Sequence, residues 1–459
     1  MSKTYRPYEP EQLLLLPPSL KDWLEPGHLA HFVSSIVETL DLSPILGVYE
    51  AEERGYPPYH PVMLVKVLVY GYCVGVPSSR KIARRLEEDV AFRMLAANNR
   101  PDFRTIADFR QRHLRALDGL FLSVLGLCQE AGLVRLGHVA LDGTKMKANA
   151  SKHKAMSYAR MTEEEKRLRE IVRKLLQEAE DVDRREDELY GPDKRGDELP
   201  EELRDPVKRL RRIQEAKAAI EKRAREAAEA KKKADAEKRV DGPLQGPVPK
   251  EPNATPSPKA QRNFTDPESR IMPSSSEKGS FLQGYNCQAA VDGEHQIIVA
   301  ADVAQDTTDR RQGARMARQV VENTGAVPRE ASMDAGYFND VVVGILGELG
   351  CEAYIAPEKR RHRDEVPPAP RGRIPNGLTL TERMRRKLST KRGRTAYGRR
   401  KEIVEPVFGQ IKQGRGFRQF LLRGLEKVKG EWSLICTGHN LLKLWRALGT
   451  GPPRFANAH

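Results

Sequence analysis

Residues 137–151 read GHVALDGTKMKANAS, and the way this stretch opens decides the fold. Val139, Ala140 and Leu141 are apolar and compatible with a buried β-strand, and Asp142 stands at the predicted exit of that strand. Two lysines, Lys145 and Lys147, follow closely. Either Asp142 caps a turn, or it is one ligand of a metal site that handles an anionic substrate.

The charge of the chain favours a polyanionic partner. Its 459 residues carry a formal net charge of +15 and the pI is about 9.5. Lysine and arginine gain free energy by displacing counterions from a phosphate backbone, which suits nucleic acid. Five widely spaced cysteines without a CxxC pair argue against a disulfide framework and a structural zinc site.

The sequence predicts a cytoplasmic protein without a membrane segment. The start of the chain lacks a basic region followed by an apolar run, so no signal peptide is expected. The most apolar stretch, VMLVKVLVYGYCVGV, is interrupted by Lys66. It is shorter than the roughly 20 apolar residues that a membrane span needs. Five dispersed cysteines also suit a reducing compartment.

Composition and hydrophobic pattern divide the chain into six segments. In chain order we expect a helical N-terminal domain at 1–133, the first part of a second domain at 134–154, a charged helical-hairpin insertion at 155–240, a Pro-rich linker at 241–262, the remainder of the second domain at 263–448 and a tail at 449–459.

Two short basic helices around the turn AANNRPD resemble a helix-turn-helix unit in the first segment. The first of them, predicted within PSSRKIARRLEEDVAFRML, contains Arg80 and Arg84. A solvated basic face on an ordinary helical bundle explains the same charges equally well. Both interpretations stay open from charge alone.

From about residue 280 the pattern changes from helices to strands. YNCQAAVDGEHQIIVAADV contains two β-rich runs around Asp292-Gly293, a dipeptide that favours tight hairpins. REASMDAGYF predicts a short strand that ends at Asp334, and CEAYIAP predicts another. Helices around a mixed sheet make an α/β unit, which the helical insertion interrupts after its first strand.

Three acids are candidates for the chemistry. VALDGT and ASMDAG place Asp142 and Asp334 in the same setting, and parallel neighbouring strands would bring both to one sheet edge. Glu405, on a predicted helix in KEIVEPVFGQIK, supplies a third carboxylate. Carboxylates that lie close together repel each other, so a cation is needed to neutralise them. A site with oxygen ligands and without Cys or His favours Mg²⁺ or Mn²⁺. Other acids are expected in turns, caps and loops: Asp266, Asp292, Asp302, Asp306 and Asp309.

Four ordered motifs resemble the DDE transposases of bacterial insertion sequences: LDGTKMKANAS, YNCQAAVDGEHQIIVAADV, MDAGYF and RRKEIVEPVFGQIKQGRGFRQFLLRG. The resemblance implies an α/β, ribonuclease H-like catalytic domain with a mixed sheet. It also implies that Asp142, Asp334 and Glu405 are the catalytic and metal-binding residues. Two Mg²⁺ or Mn²⁺ ions, roughly 3.5–4 Å apart, would clamp the attacking and leaving oxygens of a phosphoryl displacement.

Related transposases also have a Tyr-x2-Arg-x3-Glu-x6-Lys signature around the last acid. Glu405 and Lys412 match its spacing, while Lys401 takes the arginine position and Tyr397 lies one residue from the tyrosine position. The resemblance and the local charge imply DNA contacts from the following basic residues: Lys145, Lys147, Lys401, Lys412, Arg415, Arg80 and Arg84.

The function expected is that of a transposase. It would bind double-stranded DNA at the terminal inverted repeats of its element, cleave the 3′ ends and join them to target DNA. Two subunits would pair the ends, so a homodimer on DNA is expected, associated with the bacterial nucleoid. A metal-dependent nuclease of the same fold and a DNA-binding regulator with a decayed site are the alternatives.

Overall fold

The computed structural model describes residues 19–50, 58–190, 201–240, 254–274, 279–359, 369–370, 372, 375 and 377–449. The predicted tail beyond residue 449 and most of the predicted Pro-rich linker therefore lie outside the described residues.

The N-terminal part is helical, as the sequence predicts. Leu29, Phe32 and Ile36 are buried on one face of the first helix. The single helix expected across residues 79–95 is wrong, because the Asp89 carboxylate accepts the N–H groups of Ala91 and Phe92 and starts a new helix. The helices are α1 (Leu29–Thr39), α2 (Ser43–Glu50), α3 (Pro61–Cys73), α4 (Ser79–Glu88), α5 (Val90–Leu95), α6 (Phe103–Arg112) and α7 (Leu114–Glu130).

The helices in the described ranges can be compared with the length and apolarity that a membrane span requires. Taken singly, none of these helices is both long and apolar enough to cross a membrane. The pair α1 and α2, bent by 71° at their junction, meets that criterion only when the two are counted together. Both belong to the buried core through residues such as Val33 and Ile45.

The part of the chain that follows α7 is built on a mixed sheet. The strands are β1 (His138–Lys147), β2 (Ala155–Ser157), β3 (Gln261–Asn263), β4 (Arg270–Pro273), β5 (Phe281–Asp292), β6 (Ile298–Ala304), β7 (Glu330–Met333) and β8 (Glu352–Ile355). The main sheet has the order β4–β5–β1–β7–β8, with β6 also paired to β5, and β2 pairs separately with β3. β1, β7 and β8 are parallel, whereas β5 is antiparallel to its neighbours. This arrangement is compatible with a ribonuclease H-like fold.

Helices surround the sheet and complete the α/β architecture. They are α8 (Tyr158–Tyr190), α9 (Glu201–Val240), α10 (Gln312–Thr324), α11 (Asp340–Glu348), α12 (Leu380–Ser389), α13 (Lys391–Gly409) and α14 (Leu425–Leu448). The segment from 358 to 395 contains α12 and the start of α13. A capping box, in which Thr379 and Glu382 bond each other's backbone N–H groups, begins α12.

The two long charged helices expected within 155–240 are α8 and α9, which lie between β2 and β3. They pack on each other through a small core separate from the main one. Leu176 on α8 and Val207 on α9 are exposed by 43% and 36%, so the apolar contact between the two helices is narrow. The core residues are Met161, Leu168, Ile213, Ala216 and Ile220.

Helix α14 joins the N-terminal helices to the sheet. Buried Trp432 donates its indole N–H to the carbonyl of Gln288 on β5, at 3.0 Å, and Ser433 donates to the carbonyl of Asp118 on α7, at 3.1 Å. The main core is therefore continuous between the two parts of the chain. All five cysteines are free and buried, which agrees with the expected lack of disulfides.

The contribution of α14 to stability can be tested at its contact with the edge strand β6. The amide of buried Asn440 accepts the N–H of Ile298 at 2.9 Å and donates to its carbonyl at 2.8 Å. Asn440→Ala leaves both groups without this partner, so the free energy of unfolding should fall by about 2–4 kcal/mol in urea titrations. Lys427→Ala, at an exposed position of the same helix, should change it by less than about 0.5 kcal/mol. Equal small changes would show that Asn440 does not hold the strand.

Candidate active site at the end of β7

The acids Asp142 and Asp334 are neighbours because of strand register. The parallel pairing of β1 with β7 ends at Leu141 and Met333, so the next residue on each strand is an aspartate. Asp142 does not mark the exit of its strand, as the sequence suggested, because β5 continues to pair with β1 and places Ala289 opposite it. Asp334 leaves β7 and begins a short 3-10 turn, whose Ala335 N–H it accepts.

Arg400 is the cation of this site. Its Nη1 donates to Oδ2 of Asp142 at 2.6 Å, and the two side chains are only 10% and 20% exposed. Burial opposes the charged guanidinium, but the charges of Asp142, Tyr397, Asp334 and Glu405 together raise the pKa of Arg400. One arginine therefore interacts electrostatically with all three predicted acids.

The carboxyl group of Asp142 is held in a crowded, enclosed environment. Burial raises its pKa to about 6, and the charges of Asp334 and Asp309 act in the same direction. Arg400 and the N–H of Gly143, which donates to Asp142 at 2.8 Å, oppose that rise. The local excess of negative charge is thus only partly balanced by the protein itself.

Asp309 belongs to this cluster, although the sequence suggested an ordinary loop acid. Its Oδ1 accepts Nδ2 of Asn286 at 2.7 Å and Nε2 of Gln288 at 2.9 Å, and Lys145 Nζ lies 3.5 Å away. Gly143 makes room for this arrangement, because a Cβ there would stand 2.6 Å from Asp309. The available sequence signal for this cluster was the pair of polar residues Asn286 and Gln288 at alternate positions of β5.

Helix α13 is fixed to the opposite end of the same strands. Arg392 in its first turn donates to Glu330 at 3.1 Å and to Glu352 at 2.5 Å. Buried His138 bridges Glu330, at 3.0 Å, and Ser332, at 2.8 Å. These contacts set the position of α13 on β7 and β8, and with it the positions of Arg400 and Glu405 farther along the helix.

Glu405 lies on α13 and is exposed. Within the described ranges, no three Asp, Glu, His or Cys side chains are close enough together to hold one metal ion. The donors present, carboxylates with amide groups beside them, nevertheless have the oxygen chemistry that Mg²⁺ and Mn²⁺ prefer. The site therefore fits a hard divalent cation by its ligand type, while Arg400 occupies Asp142 in this conformation.

The signature around Glu405 has a different register from the predicted one. Arg400, not Lys401, reaches the acids, and its guanidinium lies 5.9 Å from the ring centre of Tyr397. Tyr397 and Arg400 have the Tyr-x2-Arg spacing, with four residues instead of three between Arg400 and Glu405. Lys401 is exposed beside them.

Several residues predicted to contact DNA face the protein instead. Lys412 donates to the Thr144 hydroxyl and, at 3.0 Å, to the Lys145 carbonyl, so it tethers the π-helical turn Gln410–Gly414 to β1. Arg415 Nη1 donates to the carbonyls of Tyr72 and Ile435, at 3.3 and 3.1 Å. Arg415 thus joins α3 to α14, and this geometry does not favour the DNA contact expected of it.

The remaining basic residues stay accessible. Lys147 is exposed on β1. Arg84 pairs with Glu88 at 2.8 Å on α4, and Arg80 lies 5.0 Å from the ring centre of Phe103 at the start of α6. The guanidinium of exposed Arg104 lies 5.6 Å from the centre of the same ring. The predicted DNA-binding role of Arg80 and Arg84 remains a prediction.

A cavity of about 890 Å³ opens directly at the site. Asp334, Tyr397 and Arg400 line it on one side, and α12, α13 and the segment after β8 complete its walls. Glu358 pairs with Arg385 at 2.5 Å within it. The basic lining residues of the cavity besides Arg400 are Lys359, Arg385, Arg394 and Lys401.

Two family models match parts of the chain. Residues 18–112 match a family described as Transposase domain (DUF772), and residues 374–445 match a family described as Transposase DDE domain. The second range contains Arg400 and Glu405, whereas Asp142 and Asp334 lie outside both ranges. Searches of curated proteins and of solved structures give no significant match.

Arg400 predicts a measurable competition with divalent cations. If it balances the acids, Arg400→Gln removes their counter-ion and should lower the melting temperature in metal-free buffer. Mn²⁺ should then raise the melting temperature more in the variant than in the wild type, because it no longer competes with the guanidinium. Lys401→Gln is the control, since Lys401 is the exposed neighbour on the same helix. An equal effect of Mn²⁺ on all three proteins would contradict this role.

Proposed function

We propose that this chain is a DDE transposase of the insertion-sequence type, which its two transposase family matches support, and that it binds the ends of its element, cleaves their 3′ ends and transfers them to target DNA. The observation that carries the proposal is the position of Asp142 and Asp334, each one residue past the end of the β1–β7 pairing, with Asp334 lining a cavity that has basic walls. Acids alone would repel a phosphodiester, so the basic walls and Arg400 are essential to the interpretation.

We assign Asp142, Asp334 and Glu405 as the ligands of Mg²⁺ or Mn²⁺, a pair of ions in the active complex. Bound there, divalent cations would neutralise the acids, lower the pKa of an attacking water or 3′-hydroxyl, and offset charge on the leaving oxygen. Glu405 would have to approach the aspartates, which requires Arg400 to release Asp142. Asp309 lies beside the same acids and is a candidate to support the site through Lys145 and the amides of β5.

The protein's own contribution is to bind and orient DNA. Lys359, Arg394 and Lys401 would neutralise backbone phosphates in the cavity beside Asp334. Once released from Asp142, Arg400 would be free to bind a phosphate with two parallel hydrogen bonds. Exposed Lys147 would contact the DNA farther along β1. These contacts would align one phosphodiester with the acids, which is the main requirement for phosphoryl transfer.

Recognition of the element ends is assigned to the N-terminal helices. α4 and α6 pack together and carry exposed Arg80, Arg84 and Arg104 on nearby turns, a layout suited to duplex DNA. Pairing of two ends calls for two copies of the chain, so the active species is proposed to be a homodimer on DNA. Association with the nucleoid follows from the same DNA binding.

A nuclease of the same fold would cleave without joining ends. Supplying duplexes with pre-cut 3′-hydroxyl ends separates the two activities, because only a transposase forms covalently joined products. Joined products in Mg²⁺ would support the proposal. Cleavage of intact ends without any joining would instead favour a nuclease. Binding of the ends without cleavage would favour a DNA-binding regulator with a decayed site.

A substitution of Glu405 tests the proposed metal ligands most directly. Glu405→Gln keeps the size of the side chain but removes its charge, so it should lower cleavage at least 100-fold while DNA affinity stays within about twofold. Glu402→Gln is the matched control, because Glu402 is exposed one turn earlier on α13. Gel assays of cleavage and fluorescence anisotropy of binding measure the two effects. Loss of binding together with cleavage would make Glu405 a structural residue instead.

Asp309 gives a second test from the structure. Asp309→Asn removes the charge that faces Lys145 and both β5 amides, so cleavage should fall about tenfold or more through misplacement of the neighbouring acids. Asp306→Asn, in the same loop, should have little effect, because Asp306 bonds only the Gln312 amide at 2.7 Å among the described contacts. Equal activities of the two variants would exclude Asp309 from the site.

A further inference from the structure

Three neighbouring concavities surround the base of α8 and α9, with volumes of about 300, 470 and 580 Å³. The first shares Arg270 and Gln261 with the third and Ala155 with the second, so they form one continuous surface, here called the basic groove. No Asp or Glu is among the described residues that line it. Its charged lining residues are Lys154, Arg160, Arg209, Arg212, Arg223, Lys231, Lys259 and Arg270.

The positive charges of Arg223 and Arg270 in the basic groove, with Arg262 beside them, are only partly offset by the nearby acid Glu268. Burial and the charges of Arg223 and Arg262 lower the pKa of Arg270 to about 10. Among the described residues, neither Arg223 nor Arg262 forms an ion pair. Glu268, the acid whose charge reaches Arg262 and Arg270, uses its carboxylate to accept the N–H of Leu425 at 2.8 Å. Like charges held together in this way favour binding of an anion.

The basic groove leads toward the candidate active site. Arg270 donates to the side-chain oxygen of Gln305 at 2.9 Å, and Thr307 lines the first concavity. Asp309, two residues farther along the same loop, bonds the β5 amides beside Asp142. A chain of phosphates bound at the acids could therefore continue along this loop to the base of the helices.

The length of the basic groove identifies the kind of anion. Arg212 and Lys231 both lie on α9, and 19 residues of helix span roughly 28 Å at 1.5 Å per residue. That distance corresponds to about eight phosphates of one DNA strand. A single phosphate group or a small metabolite would occupy only one of the concavities, whereas a duplex backbone can contact all of them.

We propose that the basic groove binds the phosphate backbone of the duplex that flanks the cleavage site, so that α8 and α9 extend the DNA-binding surface beyond the acids. This inference rests on the proposed transposase function and adds a role for the two long helices. The DNA contacts are sequence-independent, because they are made by arginine and lysine with phosphates. The basic groove therefore contributes affinity and alignment, and recognition of the ends remains with the N-terminal helices.

The experiment measures DNA binding of the full chain at several salt concentrations, with a fluorescent duplex of random sequence. The test variant combines Arg223→Gln with Lys231→Gln, both in the basic groove. The control combines Lys222→Gln with Arg225→Gln, which remove the same charge from exposed positions outside it. The slope of log affinity against log salt should become less negative by about 1.8 in the test variant, at ~0.9 per lost phosphate contact. The control should keep the wild-type slope.

A photocrosslink gives a second measurement that does not depend on lost charge. Ala228 lines the basic groove, whereas Ala230 is exposed outside it. Ala228→p-benzoylphenylalanine should crosslink to the labelled duplex, and the same substitution at Ala230 should not. Equal salt slopes for the wild type and the test variant, together with no crosslink from position 228, would overturn the proposed DNA binding by the basic groove. The transposase proposal would still stand in that case if the wild type binds the duplex. A wild type that binds no duplex would overturn both.

Discussion

The end of the parallel pairing between β1 and β7 is the constraint on which the candidate site depends. At Leu141 and Met333 the ladder stops, and each strand continues with an aspartate. Because β5 remains paired to β1 beyond this point, Asp142 is held in a partly buried strand while Asp334 turns away. Only this register brings together two acids that are far apart in the chain, and α13 packs across the same strands to add Arg400 and Glu405.

The ion pair between Arg400 and Asp142 explains how the site remains folded with several acids close together. An enclosed pair of this kind adds little net stability, because desolvation of both charges offsets their attraction. Removing one partner is costly, since the other charge stays buried. The pair is therefore best understood as a positioning contact, which holds α13 against β1.

The sequence predicted the elements that have a local signal. Apolar runs followed by Asp indicated the strands before Asp142 and Asp334, which the structure shows as β1 and β7. The register around Glu405 was wrong by one residue, because one position on a helix turns a side chain by about 100° and nothing in the spacing chose Arg400 over Lys401. Asp309 and Arg415 were misjudged for a related reason. Asp309 contacts Asn286 and Arg415 contacts Tyr72, and both partners are distant in sequence. Such contacts cannot be predicted from composition or local pattern.

The central claim is that the acids of β1, β7 and α13 gather around divalent cations when DNA is bound. Anomalous diffraction from crystals of the full chain with Mn²⁺ and a duplex ending in a 3′-hydroxyl tests it most directly. We predict a Mn²⁺ peak within about 2.0–2.3 Å of carboxylate oxygens of both Asp142 and Asp334, with Arg400 moved off Asp142 and Glu405 turned inward. Arg400 still bonded to Asp142 at saturating Mn²⁺, with no peak at either aspartate, would contradict the account.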